Sequence, residues 1–470
     1  MPISNPFGFS VDLSFWQTFF DAPLTYQAEA VFAIIGWVIL AYVFFKAGAE
    51  LWAQYREQTG QVKNWQWVLL AVDVPAMFIQ TPKAVEQIFA HLSGALAHIT
   101  VADKFWHGKK QKWFSFEIIS IEGYIQFLVR AEVEYRDLIE AAIYAQYTEA
   151  EITEVEDYID NIPNYFPNPD YDVMGVEFKL AEKSAYPIRT YPSFEYNLSK
   201  DAVFSDPMAA ILENFSRLAH GENLWMQIVI EPVSNEWKKE GIDLVKELMG
   251  QEVHKKGGIQ EFMLSIPQAI LKDMMNVIQW SFEGEDGHKK EEKPAWVELS
   301  PGRKKTIEAV EDKIGKIGFK SKVRALYTAR KENYHPNRCV EGLIGAMNQF
   351  HEMNRNALVP AAVTHLHYDR THKKTNRLKN SFTQAFKKRK VKWHKTGAYI
   401  LNIEELATIW HFPLPFVKTP LLQKAGYKRG EPPSGLPVEF SESPLKRKPV
   451  SPSAEPAVSP EELPPEELYG

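Results

Sequence analysis

Residues 113–133 read WFSFEIISIEGYIQFLVRAEV. Two apolar runs, Trp113 to Ile121 and Tyr124 to Val133, flank Glu122-Gly123, and a two-residue break with glycine second signals a tight hairpin. Outward on the N-terminal side, Trp65 to Pro75 (WQWVLLAVDVP) reads as a buried strand stopped by proline. Thr81-Pro82 then opens a helix in which Val85, Ile88, Phe89, Leu92 and Leu96 recur at helical spacing. On the C-terminal side Arg136 to Tyr147 is helical, and Glu151 to Tyr158, with Ile152 and Val155 alternating, closes the unit as a strand. The order β-α-β-β-α-β is the split βαβ, or ferredoxin-like, arrangement, expected over residues 65–160.

The second half repeats the order with an insertion, over residues 185–360. Pro187 to Tyr196 is predicted as a strand, Asp206-Pro207 caps a helix from Met208 to Ala219, and Leu224 to Pro232 (LWMQIVIEP) is a strand ended by proline. Helical stretches follow at Trp237 to Gly250 and Ile259 to Ile278, then a loop at Gly284 to Lys293 too charged to bury. A helix at Arg303 to Ile317, a strand at Phe319 to Arg330 and a helix at Cys339 to Phe350 complete it. From Arg429 the chain turns to Pro, Ser and Glu, so residues 438–470 are expected to be a disordered tail.

Ahead of both halves stands Ala30 to Ala49 (AVFAIIGWVILAYVFFKAGA). Its uncharged part to Phe45 covers roughly 24 Å as a helix, and the full run about 30 Å, one hydrocarbon thickness. Ala30, Ile34, Trp37, Leu40, Phe44 and Phe45 leave no polar stripe, which favours a membrane span at 30–49 over a buried core helix. Before the span lie Asp12, Asp21 and Glu29 with no Lys or Arg, and after it come Lys46, Arg56 and Lys63. The positive-inside rule then puts the N-terminus outside and the bulk of the chain in the cytoplasm, with 1–29 an aromatic extracytoplasmic or interfacial leader. The start is acidic, unlike a signal peptide.

Composition narrows little else. A net charge of −6 over 470 residues names no partner, and the single cysteine, Cys339, excludes an internal disulfide framework. Neither Gly315 to Ser321 nor Pro301 to Thr306 has the spacing of a phosphate-cradling loop, so nucleotide hydrolysis is not expected. His365, His367 and His372 lie near Asp369 without a cysteine and read as part of a basic loop; no metal site, catalytic residue or cofactor is expected. The acidic run Glu132 to Asp160 reads as a solvated face or a partner surface, and Asn402 with Glu405 three positions on forms a capping box.

The strong charge feature is the basic segment within 365–400. Between 370 and 395 it carries Arg370, Lys373, Lys374, Arg377, Lys379, Lys387, Lys388, Arg389, Lys390, Lys392 and Lys395 with Phe382, Phe386 and Trp393 interleaved. Three readings stay open: a phosphate-tracking surface with stacking rings for nucleic acid, a patch lying on anionic lipid, and a solvated helix with a basic face.

Residues 401–437 (LNIEELATIWHFPLPFVKTPLLQKAGYKRGEPPSGLP) carry Glu405, Leu406, Trp410, His411 and Pro413 and a later Pro432 to Pro437. This segment is similar to one in the N-terminal, non-ATPase regions of membrane-anchored type IV secretion and conjugative DNA-transfer ATPases of the HerA/TraG-like group. Leu70 to Gln87, Tyr144 to Tyr158, Leu224 to Trp237 and Lys322 to Ala329 resemble that group as well. The resemblance implies a bacterial single-pass membrane protein, a non-enzymatic cytoplasmic scaffold in a secretion-like or DNA-transfer assembly. Its motor ATPase is then expected on a separate chain, since the family's Walker-type motor has no counterpart here. Other protein partners and self-association fit such a scaffold. The alternative is a membrane-tethered nucleic-acid-binding protein using the basic segment. The fold expected is α+β: a transmembrane helix, two ferredoxin-like plaits, the second with a helical insert, and a disordered tail.

Overall fold

The computed structural model describes residues 3–4, 10–11, 23–75, 80–197, 202–204, 206–251, 299–365, 369–391 and 397–414. The readings made for the 1–29 leader up to residue 22, apart from 3–4 and 10–11, for Ile259 to Ile278, Gly284 to Lys293, His367, Lys392, Trp393 and Lys395, and for the chain beyond Leu414 lie outside these residues.

Two compact units form, one from residues up to 66 together with 97–111, the other from 67–96 and 112 onward. In the first, α1 (Leu24–Thr59) runs 36 residues, about 54 Å at 1.5 Å per residue. Among the described residues it is the one helix long and apolar enough to cross a membrane. The stretch 97–111 holds to its C-terminal turns: Trp52 donates Nε1–H to the Phe105 carbonyl at 3.0 Å, and Arg56 donates Nε–H to the Trp106 carbonyl at 3.1 Å.

The second unit is a mixed α+β body built on one antiparallel sheet. Its first half runs β1 (Trp67–Asp73), α2 (Pro82–Leu92), β2 (Phe114–Ile121), β3 (Tyr124–Glu132), α3 (Arg136–Tyr144) and β4 (Glu151–Glu154). Its second half runs β5 (Tyr171–Leu180), α4 (Met208–Ser216), β6 (Glu222–Pro232), α5 (Lys238–Leu248), α6 (Pro301–Gly315), β7 (Gly318–Arg330), α7 (Pro336–Met347) and β8 (Leu358–Val363). Then come α8 (Lys373–Lys387), β9 (Tyr399–Asn402) and α9 (Ile403–Ile409).

Across the sheet the order is β8-β5-β7-β6-β2-β3-β1-β4, with β9 pairing the start of β7. Within each half the strands therefore lie fourth, first, third, second, and the second strands of the two halves, β2 and β6, pair with each other. That seam runs antiparallel from Asn223 opposite Ile121 to Ile230 opposite Phe114. No sheet boundary falls between residues 160 and 185, because the edge strand of each half finds its partner in the other.

The hairpin between β2 and β3 turns at Glu122 (φ 55°) and Gly123 (φ 92°), the doubly positive geometry that matches strand twist. Three strands differ from expectation: β8 and β9 are not among those expected, and the first strand of the second half lies elsewhere. The strand opening the second half is β5, whereas 187–194, broken by Pro187 and Pro192, is loop and a short 3-10 turn.

Strand alternation sorts the body into two cores. On one face Leu70, Phe116, Phe127, Met226, Val323 and Phe178 meet α2, α3, α4, α7 and α9. On the other, Leu69, Ile119, Leu128, Trp225 and Leu326 meet α8 and the segment 155–166. The α8 packing depends on Gly175 in β5: a Cβ there would sit 2.2 Å from Cε1 of Phe382. Gly175→Ala should therefore destabilise the body by about 1–3 kcal/mol. A shift in urea midpoint would show it, and the double variant with Phe382→Ala should lose less than the sum of the two.

Candidate functional site

The residues read as a membrane span lie in α1. Trp37, Leu40, Phe44 and Phe45 are exposed, Phe45 to 78 %, with no protein over them; Ala30 and Ile34 are in the same helix, their side chains outside the described set. By length and composition this helix is apolar enough to cross a membrane.

The basic segment is divided by α8. Phe382 and Phe386 are fully buried against the sheet, so they cannot serve as stacking rings. Lys379 is buried in an ion pair with Asp172 at 2.5 Å, and Lys387 donates to the Ile162 carbonyl at 2.8 Å. Arg389 is 1 % exposed and clasps Glu117 (2.9 and 3.1 Å) and Asp157 (2.9 Å). Asp157, half-buried, thus turns from the acidic surface read from the sequence to pair with a buried arginine. Burial would raise its carboxyl, but the adjacent Arg389 guanidinium overrides that and holds it below the usual range. Arg370, Lys373, Lys374, Arg377, Lys388 and Lys390 remain on the surface.

Beneath α8 a row of polar side chains crosses four strands. Glu177, Arg324, Gln227 and Glu117 are each fully buried and stand opposite one another in register. Glu117 is saturated by Arg389, by the Ser115 hydroxyl (2.5 Å) and by the Tyr158 hydroxyl (2.7 Å), and Glu177 pairs with buried Lys322 at 2.6 Å. Arg324 donates to the Lys390 carbonyl, and burial brings its guanidinium down to about 10, still charged at neutral pH. The Gln227 amide finds no hydrogen-bond partner in this row.

The motif at 405–413 is also interior. Asn402 and Glu405 form the expected capping box, and Glu405, fully buried, also accepts from the Ile188 N–H (2.9 Å) and pairs with buried Lys313 at 2.9 Å. Trp410 is fully buried among Phe89, Phe116, Phe127 and Phe412. His411 donates Nδ1–H to the Ala407 carbonyl (2.8 Å) and sets Nε2 3.0 Å from the Asp206 carboxylate, while Pro413 is half-buried. Since β9 pairs in the second half and Trp410 packs in the first, the motif bolts the two together.

One cleft of about 640 Å³ opens beside the start of α8, lined among others by Lys331, Tyr334, His365, His372, Asn376 and Lys379. Its lining is rich in donors and imidazoles, with Asp172 its one carboxylate. Such a lining suits a small anionic or carbonyl-bearing molecule better than proton transfer between paired carboxylates. Among the described residues no three His, Cys, Asp or Glu side chains gather as a metal site. His365 and His372 had drawn attention in the sequence; Lys331 and Tyr334 had not, because they follow a strand end and join the histidines only through the fold.

A family described as a domain of unknown function, DUF8128, matches residues 79–424. The chain belongs to the DUF8128 family. No curated protein and no solved structure matches it. The DUF8128 match takes in α2 through α9, so it includes the Trp410 bolt and the polar row and starts after α1.

Two outcomes follow. Arg389→Ala leaves Glu117 buried without its counterion and should cost about 3–5 kcal/mol, read as a loss in urea midpoint. Asp206 titrates with folding. Burial would raise it, but His411 and the N–H groups of Met208 and Leu414 hold it below its unfolded value of about 3.9. The stability it supplies is complete above about pH 4 and is lost as pH falls through the folded pKa. Asp206→Asn should lower the melting temperature at pH 7 and flatten its decline on acidification from about pH 5 to pH 3.

Proposed function

We propose that this protein is a single-pass, non-enzymatic membrane scaffold. In this reading α1 spans a bacterial cell membrane with its N-terminus outside. The cytoplasmic body is two ferredoxin-like plaits fused edge to edge, presenting a platform to protein partners. A type IV secretion-like or DNA-transfer assembly, with its motor ATPase on a separate chain, is the setting the sequence resemblance favours. The observation that carries the reading is the uncovered apolar belt of α1, eight consecutive residues from 38 to 45 of which seven are large and apolar, in a chain whose second unit exposes such residues only singly. The strand order fourth, first, third, second in both halves supports the plait assignment. The excess of Lys and Arg after the helix supports the orientation. The sequence contains no P-loop pattern, which supports a scaffold over a motor.

A second reading, nucleic-acid binding through the basic segment, is supported by exposed Arg370, Lys373, Lys374 and Arg377. It is weakened by the burial of Phe382, Phe386 and Arg389.

Two experiments test these readings. Leu40→Lys with Phe44→Lys should move the protein from the carbonate-resistant membrane fraction to the soluble or aggregated one; unchanged membrane retention would remove the anchor. Charge reversal of Arg370, Lys373, Lys374 and Arg377 together should leave membrane partners in a cross-linking pull-down unchanged if the scaffold reading holds. A DNA gel shift by the wild type that these reversals abolish would instead favour the second reading.

A further inference from the structure

The chain leaves the body after Leu96 and returns at Lys112, and the residues between fold onto the last turns of α1. If Ala30 to Ala49 fills the hydrocarbon, about 30 Å, then Trp52 lies about 5 Å and Arg56 about 10 Å beyond its edge. The head-group layer on each side is about 5–8 Å thick. The hydrogen bond from Trp52 to the Phe105 carbonyl therefore holds residue 105 at head-group depth, and the one from Arg56 to the Trp106 carbonyl ties residue 106 at the outer edge of that layer.

The attachment is close. Gly108 has φ 62°, and a Cβ on it would lie 2.2 Å from the Arg56 carbonyl oxygen, so only glycine lets the loop backbone reach the helix there. Asp103 accepts from the Thr100 hydroxyl at 2.9 Å and pairs with Lys109 at 2.8 Å, which closes the turn at 103–107. What the loop turns outward is apolar and cationic. Val101 is 75 % exposed and Trp106 68 %, beside exposed Leu51, Trp52 and Tyr55 on α1. Residues 46–66 and 97–111 together hold six Lys or Arg against three Asp or Glu. Exposed tryptophan and tyrosine with surplus cations at this depth is the composition of an interfacial anchor.

We infer that residues 97–111 form a second membrane contact, an interfacial loop that seats Val101 and Trp106 among the anionic head groups of the leaflet α1 emerges into. The inference rests on the reading of α1 as a span, and its continuity with α1 selects lipid over a protein partner. Cations near an anionic leaflet add attraction that grows with the share of acidic lipid.

The test uses the full chain in vesicles of phosphatidylcholine with phosphatidylglycerol. In a Cys339→Ser background, single cysteines at Leu40→Cys, Ala102→Cys and Met353→Cys carry an environment-sensitive fluorophore. Spin-labelled lipids quench either at the head-group level or deep in the acyl chains. The deep quencher should dim position 40, and the shallow quencher should dim position 102 at least twofold. Position 353, whose methionine is 94 % exposed on the body, should stay unquenched. Gly108→Val in the Ala102→Cys protein should remove most of the quenching at 102 and leave a companion label at 40 unchanged. Quenching at 40 with 102 behaving like 353 overturns the loop contact and leaves the span standing. Loss of deep quenching at 40 overturns the span and the loop contact together.

Discussion

The pairing of β2 with β6 is the constraint on which the body depends. Eight consecutive residue pairs, from Asn223 and Ile121 to Ile230 and Phe114, join what would be two exposed edges. An unpaired edge strand is a template for aggregation, and here each half covers the edge of the other. Once that register is set, the side-chain period of two carries it across the whole sheet. Phe116, Ile228 and Val323 then share the face of α2, α4 and α7, and Glu117, Gln227 and Arg324 are committed to the opposite one.

That opposite face explains the chemistry of the basic segment. A sheet face bearing Glu117, Glu177 and Arg324 cannot be closed by apolar side chains alone, since each charge would be stranded in a low-dielectric interior. The chain after α8 returns Arg389 to Glu117 and Asp157, and α8 itself brings Phe382 and Phe386 to the apolar ground around Trp225. Rows of lysine and arginine on the surface and a buried arginine clasp are thus parts of one segment with different work. Glu405 and Lys313 play the same role on the helix side, where the capping box and the ion pair fix α9 so that Trp410 enters the aromatic cluster of the first half.

Much of this was legible from residue order alone. Glu122-Gly123 announced the hairpin, Pro75 and Pro232 marked ends of strands, and Asn402 with Glu405 marked the start of α9. The strand Tyr171 to Leu180 escaped because Gly175 and the charges Glu177 and Lys179 interrupt its apolar run. Those interruptions are the places where Phe382 and the polar row sit, so the signal was hidden by the contacts that the strand makes. Short β8 and β9 carry too few alternations to stand out. The burial of Arg389 against half-buried Asp157 is a long-range pairing, and the composition of either segment alone points to solvent. The cleft near Lys331 and His372 likewise exists only after β7 and α8 are brought together.

The central structural claim is that the two halves act as one body. Hydrogen–deuterium exchange of the reconstituted full-length protein measures it most directly. The account predicts that amides of 114–121 and 222–230 are among the slowest to exchange, share one opening free energy, and are accelerated together by Trp410→Ala. Exchange of the first half at a free energy distinct from the second, with the β2 and β6 amides no better protected than those of a sheet edge, would contradict it.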